Sequence, residues 1–330
     1  MSDQTRVLVT GAGGFIGHHL VTFLKERGYW VRGVDIKEPE FSTTDADEFE
    51  LLDLRRWDNC LQATREIDQV YALAADMGGM GFISANHSQI LHNNALINLH
   101  TAEASRMNKV KRYLYTSSAC IYPEYLQTEA EVTPLKEEDA YPAQPQDAYG
   151  WEKLITEKIC EYYHLDHGFD TKIVRFHNIF GPLGTWEGGR EKAPAAMCRK
   201  VAYAKLTKNP TVEIWGDGEQ TRSFCYIDDC VTGIYKLLNS DYNQPLNLGQ
   251  DYLISINDLA DLVADIAGYQ IEKKHIDGPQ GVRGRNSNND RLRDVLGWEP
   301  AITLRKGLES TYAWIEDQVR AQLASQKQAA

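Results

Sequence analysis

Tyr149 and Lys153 stand four residues apart in a stretch of helical periodicity, so both side chains project from one face of a helix. A free phenol titrates near ~10, too high for a base at neutral pH, and an ammonium one turn away favours the phenolate. Ser117-Ser118, just after a strand-like run ending at Thr116, would bring a hydroxyl beside that phenol. Together Ser118, Tyr149 and Lys153 are a set that moves a proton on and off an alcohol oxygen, although a surface Tyr/Lys pair has the same spacing. A second cluster lies at the start of the chain. Gly11, Gly14 and Gly17, with Phe15 and Ile16 between the last two, sit after the β-branched run Arg6 to Thr10 and before a helical pattern. Such a turn lets the backbone approach a pyrophosphate closely and points helix N-terminal N–H groups at it; a turn that merely packs helix on sheet is the plainer alternative. Asp35, about 18 residues beyond Gly17, is placed for the acid that hydrogen-bonds an adenosine ribose, which favours NAD over NADP. Lys37 softens that preference. Asp53 falls where a loop after a third strand would reach an adenine, or would simply be a solvated loop aspartate.

The elements that must hold these residues follow from periodicity. Arg6–Thr10, Trp30–Asp35, Gln69–Leu73 and Arg112–Thr116 read as strands, and His18–Arg27, capped by Gly28, Ser88–Met107 and Ala148–Tyr163 read as helices. Strands alternating with helices predict an α/β fold: a doubly wound, Rossmann-type parallel sheet with both faces covered. Beyond Gly181 the segment Pro182-Leu183-Gly184-Thr185-Trp186-Glu187-Gly188-Gly189 is too irregular for a core strand, so a smaller lobe is expected from there. The expected division is a dinucleotide-binding domain over 1–180, with 224–248 returning to it, and a substrate-binding lobe over 181–223 and 249–330.

The glycine turn from Thr10 to Gly17, the Ser-Ser segment and Tyr149-Gly150-Trp151-Glu152-Lys153 together resemble the extended short-chain dehydrogenase/reductase family of NAD-dependent, nucleotide-sugar epimerases and dehydratases, over essentially the whole chain. The resemblance implies that Tyr149 takes the proton from a sugar hydroxyl, that Lys153 holds the nicotinamide ribose, and that Ser118 bonds the reacting oxygen. Ala75 to Gly81, Ser117 to Pro123, Gly188 to Pro194, Trp215 to Gly218, Gln220 to Phe224 and Gly281 to Ser287 resemble the branch of that family that acts on GDP-mannose at C3 and C5. A sugar C–H is not acidic, but oxidation at C4 makes the hydrogens at C3 and C5 acidic through enolate stabilisation. Inverting each centre then needs one group to remove a proton and another to return one from the opposite face. The resemblance assigns these roles to Cys120 and Lys192, with a diphosphate clamp as the rival role for Lys192. It also implies substrate contacts at Gly78, Ala119, Asn178, Glu191, Ala193, Lys200, Gln220, Arg222 and Arg285. The two arginines suit phosphate because a guanidinium fork matches its oxygens. His177 is read as a packed histidine and the remaining cysteines as structural. The helices around Leu91–Met107 and Lys153–Tyr163 are expected to pair in a homodimer.

Composition limits the alternatives. Over 330 residues, 35 Lys+Arg against 47 Asp+Glu give a net charge of −12, which argues against nucleic acid or an acidic membrane as partner. Any anionic ligand must be held by local charge. No apolar run approaches the ~18–20 residues of a membrane span, and the first residues lack the apolar core of a signal peptide, so a cytoplasmic location is expected. Six scattered cysteines without a CxxC pair fit a reducing compartment and give no metal site. The competing activities are a nucleotide-sugar 4-epimerase, dehydratase or decarboxylase using the same oxidation, and a non-catalytic dinucleotide sensor, against which Ser118, Tyr149 and Lys153 count.

Overall fold

The computed structural model describes residues 4–329. Its first half alternates as the periodicity predicts: β1 (Arg6–Thr10), α1 (Phe15–Lys25), β2 (Trp30–Asp35), β3 (Glu48–Leu51), α2 (Trp57–Ala63), β4 (Gln69–Ala72), α3 (Met80–Ala85), α4 (His87–Met107), β5 (Arg112–Ser118), α5 (Ala148–His167) and β6 (Thr171–Phe176). All strand pairs of the main sheet are parallel, in the order β3-β2-β1-β4-β5-β6. The strand order reverses between β1 and β4, and ligands of open α/β sheets bind beyond the carboxyl ends of the strands at such a point. Thr10, Asp35, Ala72 and Ser118 are the residues that end β1, β2, β4 and β5 on that edge.

Two local boundaries differ from the sequence expectation. α1 begins at Phe15 rather than His18 and closes at Glu26, and Gly28 lies in the following turn with φ +79°. The helix absorbs the end of the glycine segment because Gly17 has no side chain: a Cβ there would sit 2.1 Å from the Gly11 carbonyl oxygen. β5 runs on through Ser117 and Ser118, whose ladder with β6 pairs them with Arg175 and Phe176, so both serines lie in the strand rather than after it.

The second half is built of shorter pieces: β7 (Ile179–Phe180), α6 (Ala193–Thr207), β8 (Thr211–Trp215), β9 (Thr221–Arg222), β10 (Cys225–Tyr226), α7 (Ile227–Leu238), β11 (Pro245–Leu248), β12 (Ile254–Ser255), α8 (Ile256–Ala267), β13 (Glu272–Ile276), β14 (Gly284–Arg285), α9 (Asp290–Leu296) and α10 (Leu304–Ala329). β11 pairs with β6 as the seventh strand of the main sheet, and α7 packs on α1. The rest forms small sheets, β10-β7, β12-β9-β14 and β13-β8, with α6, α8 and α10 packed together. One apolar core joins the two regions, running from Val7, Leu114 and Val174 of the sheet to Met197, Val201, Leu259 and Leu308. Burying a side chain of this kind is worth roughly 1.5–3 kcal/mol, so the cleft walls are held by a shared core. Among the described residues no helix is long and apolar enough to cross a membrane. Residues 1–3, where the reading about a signal segment starts, lie outside the described residues.

Candidate active site

A cleft of about 1030 Å³ opens above the carboxyl edge of the sheet, between it and the second region. Gly11, Gly14, Phe15, Ile16, Gly17, Asp35 and Asp53 line one end; Ser118, Ala119, Cys120, Tyr149 and Lys153 line its floor; Gly78, Asn178, Glu191, Lys192, Ala193, Lys200, Gln220, Arg222 and Arg285 line the rest. Residues far apart in the chain thus line one cleft.

The dinucleotide end fits NAD. Gly11 takes φ +71°, and Gly14 caps α1 in an extended conformation, so the helix opens directly onto the cleft. Asp35 accepts a hydrogen bond from the Gly13 N–H at 2.9 Å and from the Ile36 N–H at 2.6 Å, which fixes its carboxylate beside the turn. Burial raises its pKa, and the backbone donors of Ile36, Lys37 and Gly13 oppose that rise. Asp53 lines the cleft with its carboxylate gripped by the Arg55 guanidinium at 2.7 Å, which lowers its pKa.

At the floor, α5 starts from Asp147, whose side chain accepts the Gly150 N–H at 2.8 Å, and this places Tyr149 and Lys153 on the buried face. The Lys153 ammonium donates to the Thr116 carbonyl at 2.9 Å and lies 4.9 Å from the Tyr115 ring and 5.5 Å from the Tyr149 ring. The titration differs from the sequence expectation. Burial pushes the Tyr149 phenol well above its ordinary value, and the neighbouring Cys120 and Glu152 add to that, while the Ser118 hydroxyl pulls it down. Lys153 is itself pulled down by burial. The lysine is anchored at the Thr116 carbonyl, beside the phenol.

Cys120 sits on the short turn Ala119–Ile121 that follows β5, where its N–H donates to the Ser118 hydroxyl at 3.1 Å. It is the one half-buried cysteine of the six; the other five are buried and all six are free. Arg285 donates to its sulfur at 3.3 Å. Lys192 caps α6 and is brought to the same space: burial lowers its pKa, the charge of Cys120 raises it, and no hydrogen bond of its ammonium is formed among the described residues. Glu191, beside it, is tied to Arg199 at 2.7 Å.

Three expected ligand contacts are occupied by the protein itself. Arg222, expected to present a free fork, donates to the carbonyls of Thr221 and Val282 at 2.7 and 2.6 Å and reaches those of Gln280 and Arg283. The reason is its neighbourhood: the 280–283 turn presents carbonyls to a guanidinium that has no carboxylate partner. Lys200 donates to the Glu213 carbonyl at 2.6 Å, and the Asn178 amide donates to the Ser223 carbonyl at 3.0 Å. Gln220, by contrast, lines the cleft and keeps its buried Oε1 without a hydrogen-bond partner. Sequence reasoning missed Asp76, which gathers Gln89, Asn93 and Arg190, and missed Thr116, Arg199 and Gln127, which hold Lys153, Glu191 and Arg285. Their only signal is position beside the odd segments; the partners are distant in sequence. His177 is buried with Nε2 on Asn247, in line with its reading as a packed residue.

Residues 7–249 match the NAD dependent epimerase/dehydratase family. The chain belongs to that family. It is an enzyme of the NAD-dependent epimerase kind. Among proteins similar to it, "GDP-mannose 3,5-epimerase 1" of Oryza sativa subsp. indica is 51% identical, with 96% of this chain and 83% of that protein covered. Solved structures share the fold. The UDP-glucose 4-epimerase of Thermotoga maritima superposes with a TM-score of 0.84 at 24% identity, covering 96% of this chain and 100% of the other. The UDP-glucuronic acid 4-epimerase of Bacillus cereus, solved with UDP-glucuronic acid and NAD, gives 0.80 at 26% identity, covering 95% and 100%.

Proposed function

We propose that this enzyme is a GDP-mannose 3,5-epimerase: it converts GDP-D-mannose to GDP-L-galactose, and releases GDP-L-gulose when C5 alone is inverted. The observation that carries the reading is the meeting of Cys120 and Lys192 in the same cleft as Ser118, Tyr149 and Lys153. A plain 4-epimerase has no use for that additional pair. The relative named for this activity, at 51% identity over nearly the whole chain, supports it.

When bound, NAD supplies a reversible two-electron acceptor for C4 and is not consumed. Tyr149 handles the proton of the C4 hydroxyl, with Ser118 bonded to the same oxygen and Lys153 holding the cofactor's ribose. Cys120 and Lys192 remove and return protons at C5 and C3. A lysine whose pKa is lowered by burial exchanges a proton near neutral pH more readily than a solvated one. Arg285, and Arg222 once released from its carbonyls, hold the diphosphate, and Gln220 lines the substrate's part of the cleft. The region 1–180 with 224–248 serves NAD, and 181–223 with 249–330 serves the nucleotide sugar. A homodimer through α4 and α5 and a cytoplasmic site of action, suited to six free cysteines, complete the proposal.

Turnover of GDP-mannose in deuterated water is expected to place deuterium at both C3 and C5, and Cys120→Ala to abolish that exchange while NAD binding persists. Product without solvent label at either carbon, or product lighter by water or carbon dioxide, would replace this reading with a 4-epimerase, dehydratase or decarboxylase.

A further inference from the structure

Arg285 has a task in this structure that a phosphate clamp does not require. Its Nη1 donates to the Cys120 sulfur at 3.3 Å, and its Nε donates to the Gln127 Oε1 at 2.5 Å. No carboxylate pairs with it among the described residues, so its charge is uncompensated where it meets the thiol. The guanidinium is mostly buried, on the two-residue strand β14, and nothing on that strand fixes the direction of its fork.

Gln127 supplies the direction. It is buried, and every hydrogen-bonding group of its amide is used: Oε1 accepts from Arg285, while Nε2 donates to the carbonyls of Tyr122 and Pro123 at 3.2 and 3.1 Å. Turning the amide over would set its NH2 against the Arg285 N–H and its oxygen against two carbonyls, so only one orientation satisfies the site. The backbone adds a second tie, since the Gln127 carbonyl accepts the N–H groups of Arg283 and Gly284 at 2.9 and 3.3 Å. The carbonyls of Tyr122 and Pro123 belong to the segment that follows the Cys120 turn directly. Gln127 therefore links the strand carrying Arg285 to the stretch carrying Cys120.

We propose that Gln127 is a positioning residue that holds the Arg285 guanidinium on the Cys120 sulfur, so that the sulfur is fixed in place and met by a cation before any substrate arrives. A cation in contact with the sulfur stabilises the negative charge that builds there as the cysteine gives up its proton and reacts. This inference rests on the reading of Cys120 as a proton-transfer group, but it makes a claim about the sulfur that can be tested without turnover.

The test is the rate at which iodoacetamide alkylates Cys120 in the NAD-loaded, full-length enzyme without nucleotide sugar, followed by peptide mass. Cys120 is the one cysteine that is not buried, so the reading is specific. Gln127→Met, which keeps the volume and removes the hydrogen bonds, is expected to slow alkylation about tenfold, as is Arg285→Gln, and the double variant is expected to be no slower than either single one. Should Gln127→Met fail to fold, Gln127→Asn replaces it: the shorter amide stays polar and neutral but cannot span Arg285 and the two carbonyls, with the same expected slowing. Alkylation at the parent rate in a folded Gln127 variant, or a double variant slowed by the product of the two single effects, overturns the proposal. A Cys120→Ala enzyme that still exchanges solvent protons at C3 and C5 would instead overturn the catalytic reading and leave the alkylation result standing.

Discussion

His177 precedes the cleft residue Asn178 and is fully buried, with its Nε2 on the Asn247 Oδ1 at 3.1 Å and its Nδ1 without a partner. Asn247 Oδ1 also accepts from the Tyr122 hydroxyl at 2.7 Å, so the shared oxygen assigns the histidine proton to Nε2 and leaves Nδ1 bare. Burial holds the imidazole neutral, with its pKa lowered to about 3, and the cations Arg285 and Arg175 push the same way. The sign of the linkage follows. Below the ordinary value near ~6.5 the unfolded chain binds a proton that the native state refuses, so this residue makes stability fall as pH falls towards 3. Between pH 7 and pH 5 its contribution is about 2 kcal/mol. Urea unfolding at the two pH values is expected to show that loss in the parent protein and to show it reduced in His177→Gln. An equal loss in both proteins sinks the assignment. At this scale the sequence was informative where residue type and local spacing decide the matter, as for the Tyr149/Lys153 pair and for His177 as a packed residue. It was silent where a partner is remote: nothing near Cys120 announces a guanidinium 165 positions away. The direction of the Tyr149 shift was likewise hidden, because spacing reveals the ammonium one turn away but not the depth of burial that outweighs it.

Lys192 reaches the cleft because two loops are clipped together. The Gly79 N–H donates to the Arg190 carbonyl at 3.0 Å, and the Arg190 side chain lies over Phe82 and reaches Asp76. On the other side Arg199 of α6 holds Glu191 and the Trp186 carbonyl, which fixes the approach to the helix cap. A Cβ on Gly79 would come 2.6 Å from the Glu191 carbonyl oxygen, and backbone at that position has no room to yield. Gly79→Ala is therefore expected to push the segment bearing Lys192 away from Cys120. Its turnover should fall between about tenfold and a hundredfold, the scale of an ångström of misplacement. NAD content should be unchanged, because the glycine turn of β1 and α1 is not involved. Parent turnover in Gly79→Ala, or lost NAD, counts against this clip. Long elements such as α4, α5 and the main strands were legible because an apolar period repeats in them several times. The paired segments β7, β9, β10, β12 and β14 are two residues each, too short for any period to register, so the second region read only as irregular. The start of α1 was misplaced for a related reason: glycine carries no helical signal, and what admits Gly17 to the helix is close contact with Gly11.

At the level of the whole molecule, the charge balance and the exposed surface pull in opposite directions. Each chain carries −12, so two copies repel, yet α4 and α5, which pack side by side, leave large apolar side chains uncovered. Leu91, Leu99 and Met107 are exposed along α4, while Trp151, Ile155, Tyr162 and Leu165 are exposed along one face of α5. Contiguous apolar surface of this kind marks an interaction site. We propose that a second copy covers it, since a two-fold axis lets the same α5 face meet itself without any complementary charge. Ion pairs on these helices, Arg106 with Glu103 and Lys158 with Glu161, are satisfied within the chain, so the contact would be apolar. Salt then screens the repulsion between like-charged copies and has no cross-interface ion pair to weaken. The parent protein is expected to sediment as a dimer that persists or tightens in high salt, and Ile155→Arg to sediment as a monomer. Ile155 points away from the site that Lys153 lines from the buried face of the same helix, so the monomeric variant should still bind NAD. A parent protein that stays monomeric at micromolar concentration, or a dimer that dissociates as salt rises, would show that this surface is covered in some other way.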